Sequence, residues 1–210
     1  MPLDLIFYTN PMSRGQIARW MLEEVGEVYE SVILDYGEAG MKSADYRAVN
    51  PMGKVPAIVH RGQVVTECAA ICAYLADAFP AANLAPPPDQ RHAYYRWLFF
   101  AAGPVEAAVT NKALGFVVPE GQEKMAGYGS FDDAIDALEM AVSGDAWICG
   151  EQFTAADVYV GSQIDWGLTF KSIPSRPRFE AYVARLRDRP AYKRQKEIDN
   201  GLIAQMQKPE

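Results

Sequence analysis

The chain has 210 residues, half of them hydrophobic and 22% charged, with a formal net charge of −7. That length and apolar share suffice for one large core or two small ones. The acidic balance excludes an electrostatic nucleic-acid partner, and no apolar run approaches the ~18 residues of a membrane span. The three cysteines, Cys68, Cys72 and Cys149, form no C-x-x-C pair, and there are two histidines, His60 and His92. This usage points to a reducing compartment and away from a disulfide framework or a metal site. Met1-Pro2-Leu3-Asp4 has no basic n-region, so a signal peptide is not expected and the cytoplasm is the expected location.

In chain order, residues 3–8 read as a buried strand, followed by a turn at Thr9-Asn10-Pro11-Met12. Ser13 stands where an N-cap belongs, ahead of a helix to about Glu24 that Gly26 stops. Ile17, Trp20 and Met21 give that helix its apolar face. A second strand is expected over 29–34. Residues 35–48 form a polar loop with one helical turn near 43–47. Two short strands, 57–60 and 63–66, meet across Arg61-Gly62, and a helix over 67–79 carries Cys68, Ile71, Cys72, Leu75 and Phe79 at helical spacing.

The stretch Asn50-Pro51-Met52-Gly53-Lys54-Val55-Pro56-Ala57 introduces that hairpin. Pro56 has no N–H, so it precedes the strand rather than sitting within it, and it is a candidate cis bond. A cis bond there would turn the Val55 N–H and C=O out of the sheet, free to pair with an extended peptide. The free N–H groups at the start of the following helix offer a carboxylate site beside that edge.

Pro80 to Pro88 includes Ala85-Pro86-Pro87-Pro88 and reads as a stiff linker. The expected organisation is therefore 1–80, a linker over 81–88, and an all-helical domain over 89–210. Its helices are expected at 89–114, bent at Gly103-Pro104, then at 122–142, 154–170, 176–187 and 191–206. Thr154-Ala155-Ala156-Asp157 has the form of a capping box, with Phe153 placed as a hydrophobic staple. Gly127-Tyr128-Gly129 follows no strand and is not a dinucleotide loop, so no nucleotide cofactor is expected.

Gly53-Lys54-Val55-Pro56-Ala57, followed by Glu67-Cys68-Ala69-Ala70-Ile71 and Tyr74-Leu75, resembles the glutathione-binding half of the cytosolic glutathione transferases. The capping box is similar to that family's pattern in its helical domain. The resemblance covers nearly the whole chain. It implies an α/β thioredoxin-like domain, βαβ then ββα with a cis-proline, followed by an all-α helical bundle.

The resemblance also implies a function. Glutathione would be the co-substrate, conjugated through its thiolate to a small hydrophobic electrophile in the manner of detoxification enzymes, and the protein would be a homodimer. Val55 and Pro56 would present the peptide edge. Glu67 would accept from the γ-glutamyl amine, and the Cys68 N–H would donate to its carboxylate. The family usually has serine where this chain has Cys68, a better donor than a thiol.

Lys42 or Lys54 would meet the glycine carboxylate, and Arg14 would add positive field near the sulfur. Ser13 is the candidate catalytic hydroxyl, because a donor at a helix start favours the thiolate, the nucleophilic form. Tyr8, Thr9 and Asn10, in the same turn, are its rivals. One bacterial class of the family has a cysteine near this turn; this chain has none there. Met12, Phe99, Phe100, Asn111 and Trp166 are candidate electrophile contacts. Two other readings keep the fold: a glutathione-dependent isomerase, peroxidase or dehalogenase, and a non-catalytic binding protein.

Overall fold

The structure is a computed structural model that describes residues 4–144 and 146–207. The chain divides into two compact units. One runs to Ala82 and resumes at Asp188; the other is Asn83–Arg187.

In the first unit, β1 (Leu5–Thr9) leads through a turn into α1 (Gly15–Val25), then to β2 (Glu30–Ile33), α2 (Ala44–Val49), β3 (Ala57–His60), β4 (Gln63–Thr66) and α3 (Cys68–Ala78). The sheet order is β2-β1-β3-β4. β1 runs parallel to β2, with Phe7 opposite Ser31, and antiparallel to β3, with Phe7 opposite Ile58. β3 and β4 form the expected hairpin. Leu5 and Phe7 alternate with half-buried Ile6 and Tyr8, the period-2 pattern of a strand whose two faces differ. On the other face, Met41, Tyr46 and Ala57 form a small core against which Tyr8, Leu34, Val49 and Val55 pack. α1 ends at Gly26 in the left-handed conformation, φ 77°, its N–H returning to the Leu22 carbonyl, as the sequence predicts.

The sequence reading puts residues 188–210 in the helical domain, and the structure groups residues 188–207 with the first unit instead, residues 208–210 lying outside the described residues. The cause is α9 (Pro190–Met206), which lies against α1. Arg19 meets Asp199 at 2.8 Å, Arg189 grips Glu24 with two bonds of 2.7 Å, Arg194 reaches Glu23, and Trp20 packs edge-on to Tyr192.

In the second unit, the long helix expected over 89–114 is α4 (His92–Phe100), a wider π-type turn at Ala101–Val105, and α5 (Glu106–Leu114). Pro104 cannot donate to the ladder, so the backbone there opens to i→i+5 spacing instead of simply bending. The expected helix over 122–142 is shorter: α6 (Phe131–Ala141), after a single 3₁₀ turn at Glu123–Met125. Gly129 takes φ 65° and Ser130 caps the Asp133 N–H at 3.1 Å, which moves the start of α6 to the far side of the glycines.

α7 (Ala155–Thr169) is buried on nearly every side, and α8 (Pro177–Arg187) packs on it at Gly161, where a Cβ would meet the Leu186 side chain. The Asp157 carboxylate accepts from the Thr154 N–H at 2.8 Å and hydroxyl at 2.9 Å, from the Ile148 N–H at 2.8 Å and from the Tyr182 hydroxyl at 2.6 Å. The capping box is thus a buried four-donor site that ties the start of α7 to α8 and to the 146–150 turn. Burial raises the Asp157 carboxyl above its usual range, and these four donors pull it back. Among the described residues no helix is long and apolar enough to cross a membrane, and no group of three or more His, Cys, Asp or Glu is placed to hold a metal ion.

Candidate active site

The Val55–Pro56 peptide is cis. The turn before it is built from side chains bonding to backbone. Asn50, buried, accepts the Met52 N–H at 3.1 Å through Oδ1 and donates to the Lys54 carbonyl at 2.8 Å through Nδ2. The Tyr46 hydroxyl donates to the same carbonyl at 2.7 Å. Burial holds the Tyr46 pKa at about 12, so this donor stays protonated at neutral pH. Lys42 Nζ donates to the Met52 carbonyl at 2.8 Å and lies against Gly53, whose φ of 57° leaves no room for a Cβ beside the Met41 carbonyl. These bonds fix the chain up to Lys54, and the Val55 N–H and C=O then take no backbone partner among the described residues. Val55 is half-buried and Pro56 buried.

Glu67 precedes α3 with φ 66° and ψ 117°, a conformation that costs a non-glycine residue about 1–3 kcal/mol. No side-chain hydrogen bond caps α3, and a helix N-terminus of this kind suits an anion. Glu67 is exposed and Cys68 buried. The Cys68 thiol points to the Arg14 carbonyl at 3.7 Å, which brings the start of α3 against the start of α1. Arg14 is exposed and supplies the N-cap backbone of α1.

Ser13 differs in detail from the N-cap expected of it, since the helix begins two residues later. Its Oγ accepts the Gly15 N–H at 2.9 Å and its hydroxyl donates to the Asn10 carbonyl at 2.7 Å. Ser13 is half-exposed. Among its rivals, Thr9 and Asn10 are fully buried, and Tyr8 packs its ring on Tyr46 at 5.4 Å. Asn10 bonds to the Leu34 carbonyl and the Met12 N–H. That leaves Ser13 as the hydroxyl in this turn with access to solvent from a helix start.

Seven of the expected residues, Ser13, Arg14, Lys42, Val55, Pro56, Glu67 and Cys68, lie in the first unit, as does Met12, 49% exposed. Phe100, Asn111 and Trp166 lie in the second, each with its own partner. Phe100 packs on Trp97, Trp166 on Phe170, and Asn111 donates to the Tyr128 hydroxyl at 3.0 Å. Asn111 and Tyr128 line an apolar groove of about 290 Å³ with Phe116, Val117, Val118 and Met125. Sequence reasoning missed Tyr46 and Asn50, which hold the Lys54 carbonyl. The Asn-Pro-x-Gly turn was the available signal for Asn50, and nothing in the sequence signalled Tyr46.

A mixed four-stranded sheet with a proline before its third strand and an open peptide edge ahead of a helix without a side-chain cap defines a thioredoxin-like domain, here joined to a helical unit. The family described as "Glutathione S-transferase, N-terminal domain" matches residues 12–78, and "Glutathione S-transferase, C-terminal domain" matches 105–190. The chain is similar to glutathione S-transferase GstA of Escherichia coli O157:H7, 29% identical over 95% of this chain and 98% of that one. It is also similar to glutathione S-transferase GST-4.5 of Xanthomonas campestris pv. campestris, 30% identical over 66% of this chain and 70% of the relative. Its structure resembles that of the theta-class glutathione S-transferase of Xanthomonas axonopodis pv. citri with glutathione bound. The TM-score is 0.72 and the identity 27%, covering 93% of this chain and 97% of that one. The chain belongs to the glutathione S-transferase family and is a glutathione transferase.

Proposed function

We propose that the first unit binds glutathione and activates its thiol for attack on a small apolar electrophile. The observation that carries this reading is the open Val55 backbone beside the uncapped, strained start of α3. The cysteinyl backbone of the tripeptide pairs with the Val55 N–H and C=O, as an added strand does. The γ-glutamyl carboxylate takes the Cys68 N–H and its amine meets Glu67. The glycine carboxylate takes Lys42, whose ammonium stands over the 50–54 turn. The similar theta-class structure, solved with glutathione bound, supports this assignment.

Ser13 donates its hydrogen to the sulfur. Its bond to the Asn10 carbonyl is released, and that carbonyl keeps the Ser13 N–H at 3.1 Å. Hydrogen bonding to the charged form lowers the thiol pKa, Arg14 adds positive field, and the thiol proton goes to solvent. The thiolate then forms a sulfur–carbon bond to the electrophile. In displacement the leaving group departs with its bonding pair; in addition the carbanion takes a proton from water. Met12, exposed beside the Ser13 turn, is the proposed apolar contact that the first unit offers the electrophile, and the working form is a homodimer in the cytoplasm.

The test is the rate of conjugation of glutathione to an activated aryl halide. Ser13→Ala lowers kcat/KM by ~10²-fold or more if the hydroxyl stabilises the thiolate. An unchanged rate removes Ser13 from catalysis.

A further inference from the structure

Thr9 is fully buried at the end of β1, and its hydroxyl oxygen has no hydrogen-bond partner among the described residues. A buried hydroxyl without a partner costs ~1–3 kcal/mol relative to an apolar side chain of the same shape. Valine is that shape and is favoured in strands, so stability alone favours valine at this position. The hydroxyl is aimed at the start of α1. A Cβ built on Gly15 would lie 2.0 Å from Thr9 Oγ1 and 3.0 Å from Ser13 Oγ, so both oxygens border the space over the Gly15 Cα. Glycine at position 15 is what leaves that space open.

From these observations we infer that Thr9 is a positioning residue for Ser13, an inference that rests on the catalytic role proposed for Ser13. In the resting turn the Ser13 hydrogen is held by the Asn10 carbonyl, and Ser13 Oγ accepts from the Gly15 N–H. When the hydrogen swings to a bound thiolate, Ser13 Oγ turns a lone pair toward the interior, and the Thr9 hydroxyl donates to it. Ser13 Oγ then accepts two hydrogen bonds while donating one. Acceptance polarises the O–H and strengthens its bond to sulfur. Thr9 itself, having no exposed surface, never touches glutathione.

The experiment is a pH titration of glutathione bound to the purified full chain, read at the ultraviolet thiolate band, with thermal midpoints measured alongside. Thr9→Val is expected to raise the thiol midpoint by ~1 unit, a tenfold loss of thiolate below it, while holding or raising Tm. Thr9→Ser keeps the hydroxyl and is expected to titrate like the natural chain. Thr9→Ala reads the same way as Thr9→Val should the valine not be accommodated. If Thr9→Val and Thr9→Ala titrate like the natural chain while Ser13→Ala loses the thiolate, the proposal is overturned and Ser13 stands. If Ser13→Ala itself titrates unchanged, the catalytic role of Ser13 fails, and the positioning role fails with it.

Discussion

Arg19 of α1 and Asp199 of α9 form a buried ion pair at 2.8 Å, 180 residues apart in the chain. Arg19 also donates to the Tyr29 hydroxyl at 3.2 Å and to Ser31 at 3.1 Å, and its guanidinium lies over the Phe7 ring at 5.1 Å. Gln195 donates to the other Asp199 oxygen at 2.6 Å. The last helix is thus fastened to the sheet and first helix of the unit that carries the candidate site. Breaking a buried pair by removing one partner strands the other charge, at a cost of ~3–5 kcal/mol. Asp199→Ala is expected to lose stability on that scale in urea unfolding. A change below ~1 kcal/mol would mean that water reaches Arg19 freely.

The capping box of α7 predicts a graded pair of effects. Thr154→Ala removes one cap and is expected to cost ~0.5–2 kcal/mol. Asp157→Ala removes the acceptor of four donors at once, leaves the Ile148 N–H and Tyr182 hydroxyl buried without it, and is expected to cost ~3 kcal/mol or more. Equal effects of the two variants would show that the Tyr182 and Ile148 bonds contribute nothing. Denaturant midpoints at neutral pH decide it.

Tyr29 and Tyr46 both have pKa values pushed up to about 12, chiefly by burial; for Tyr29 the neighbouring Glu23 adds to the effect. The folded chain therefore holds these protons more tightly than the unfolded chain, whose tyrosines titrate near 10. Their contribution to stability is complete below pH ~10 and is lost as pH rises through ~12. A spectrophotometric titration should show these two phenols ionising later than the exposed tyrosines, with thermal stability falling across the same window. Removing Tyr46 with phenylalanine should flatten part of that fall and loosen the turn before Val55.

Gly15→Ala tests the packing of the first turn. The added Cβ would sit 2.0 Å from Thr9 Oγ1, a rigid β-branched side chain inside a strand. The expected cost is ~1–3 kcal/mol of stability, with loss of thiolate formation, because the Ser13 turn must shift. The double variant Gly15→Ala with Thr9→Ala should recover most of the stability.

The strands, the hairpin, the cis-proline position and the capping box were legible because each has a local cause: period-2 burial, a missing N–H, a Thr and Asp three apart. The placement of α9 was not legible. It follows from arginines meeting Glu23, Glu24 and Asp199 across more than 160 residues, and a charge on a helix face does not announce its partner. The break at Pro104 was legible as a break but not as a π turn, since that choice depends on what α4 and α5 pack against. At the candidate site, the order Val55-Pro56, then Glu67-Cys68 at a helix start, was legible in the sequence. The bond from Tyr46 to the Lys54 carbonyl was not, and Thr9 was legible as a hydroxyl in the first turn but not as a buried one without a partner among the described residues, because both depend on where an oxygen points.

Ser13→Ala and Cys68→Ser separate activation from binding. Serine at position 68 replaces a thiol that reaches the Arg14 carbonyl at 3.7 Å with a stronger donor. It is expected to tighten glutathione binding by ~2–5-fold, one added hydrogen bond of ~0.5–1 kcal/mol, with the thiol pKa unchanged. Isothermal titration measures the first and the thiolate band the second.

The most direct test of the account is an ultraviolet difference titration of glutathione into the unaltered protein across pH. Free glutathione is mostly protonated at neutral pH, so a thiolate band that saturates with glutathione near pH 7 is the predicted result. Saturable binding without that band would contradict activation at Ser13 and leave a peptide-binding domain. No binding at all would contradict the site at Val55 and Glu67.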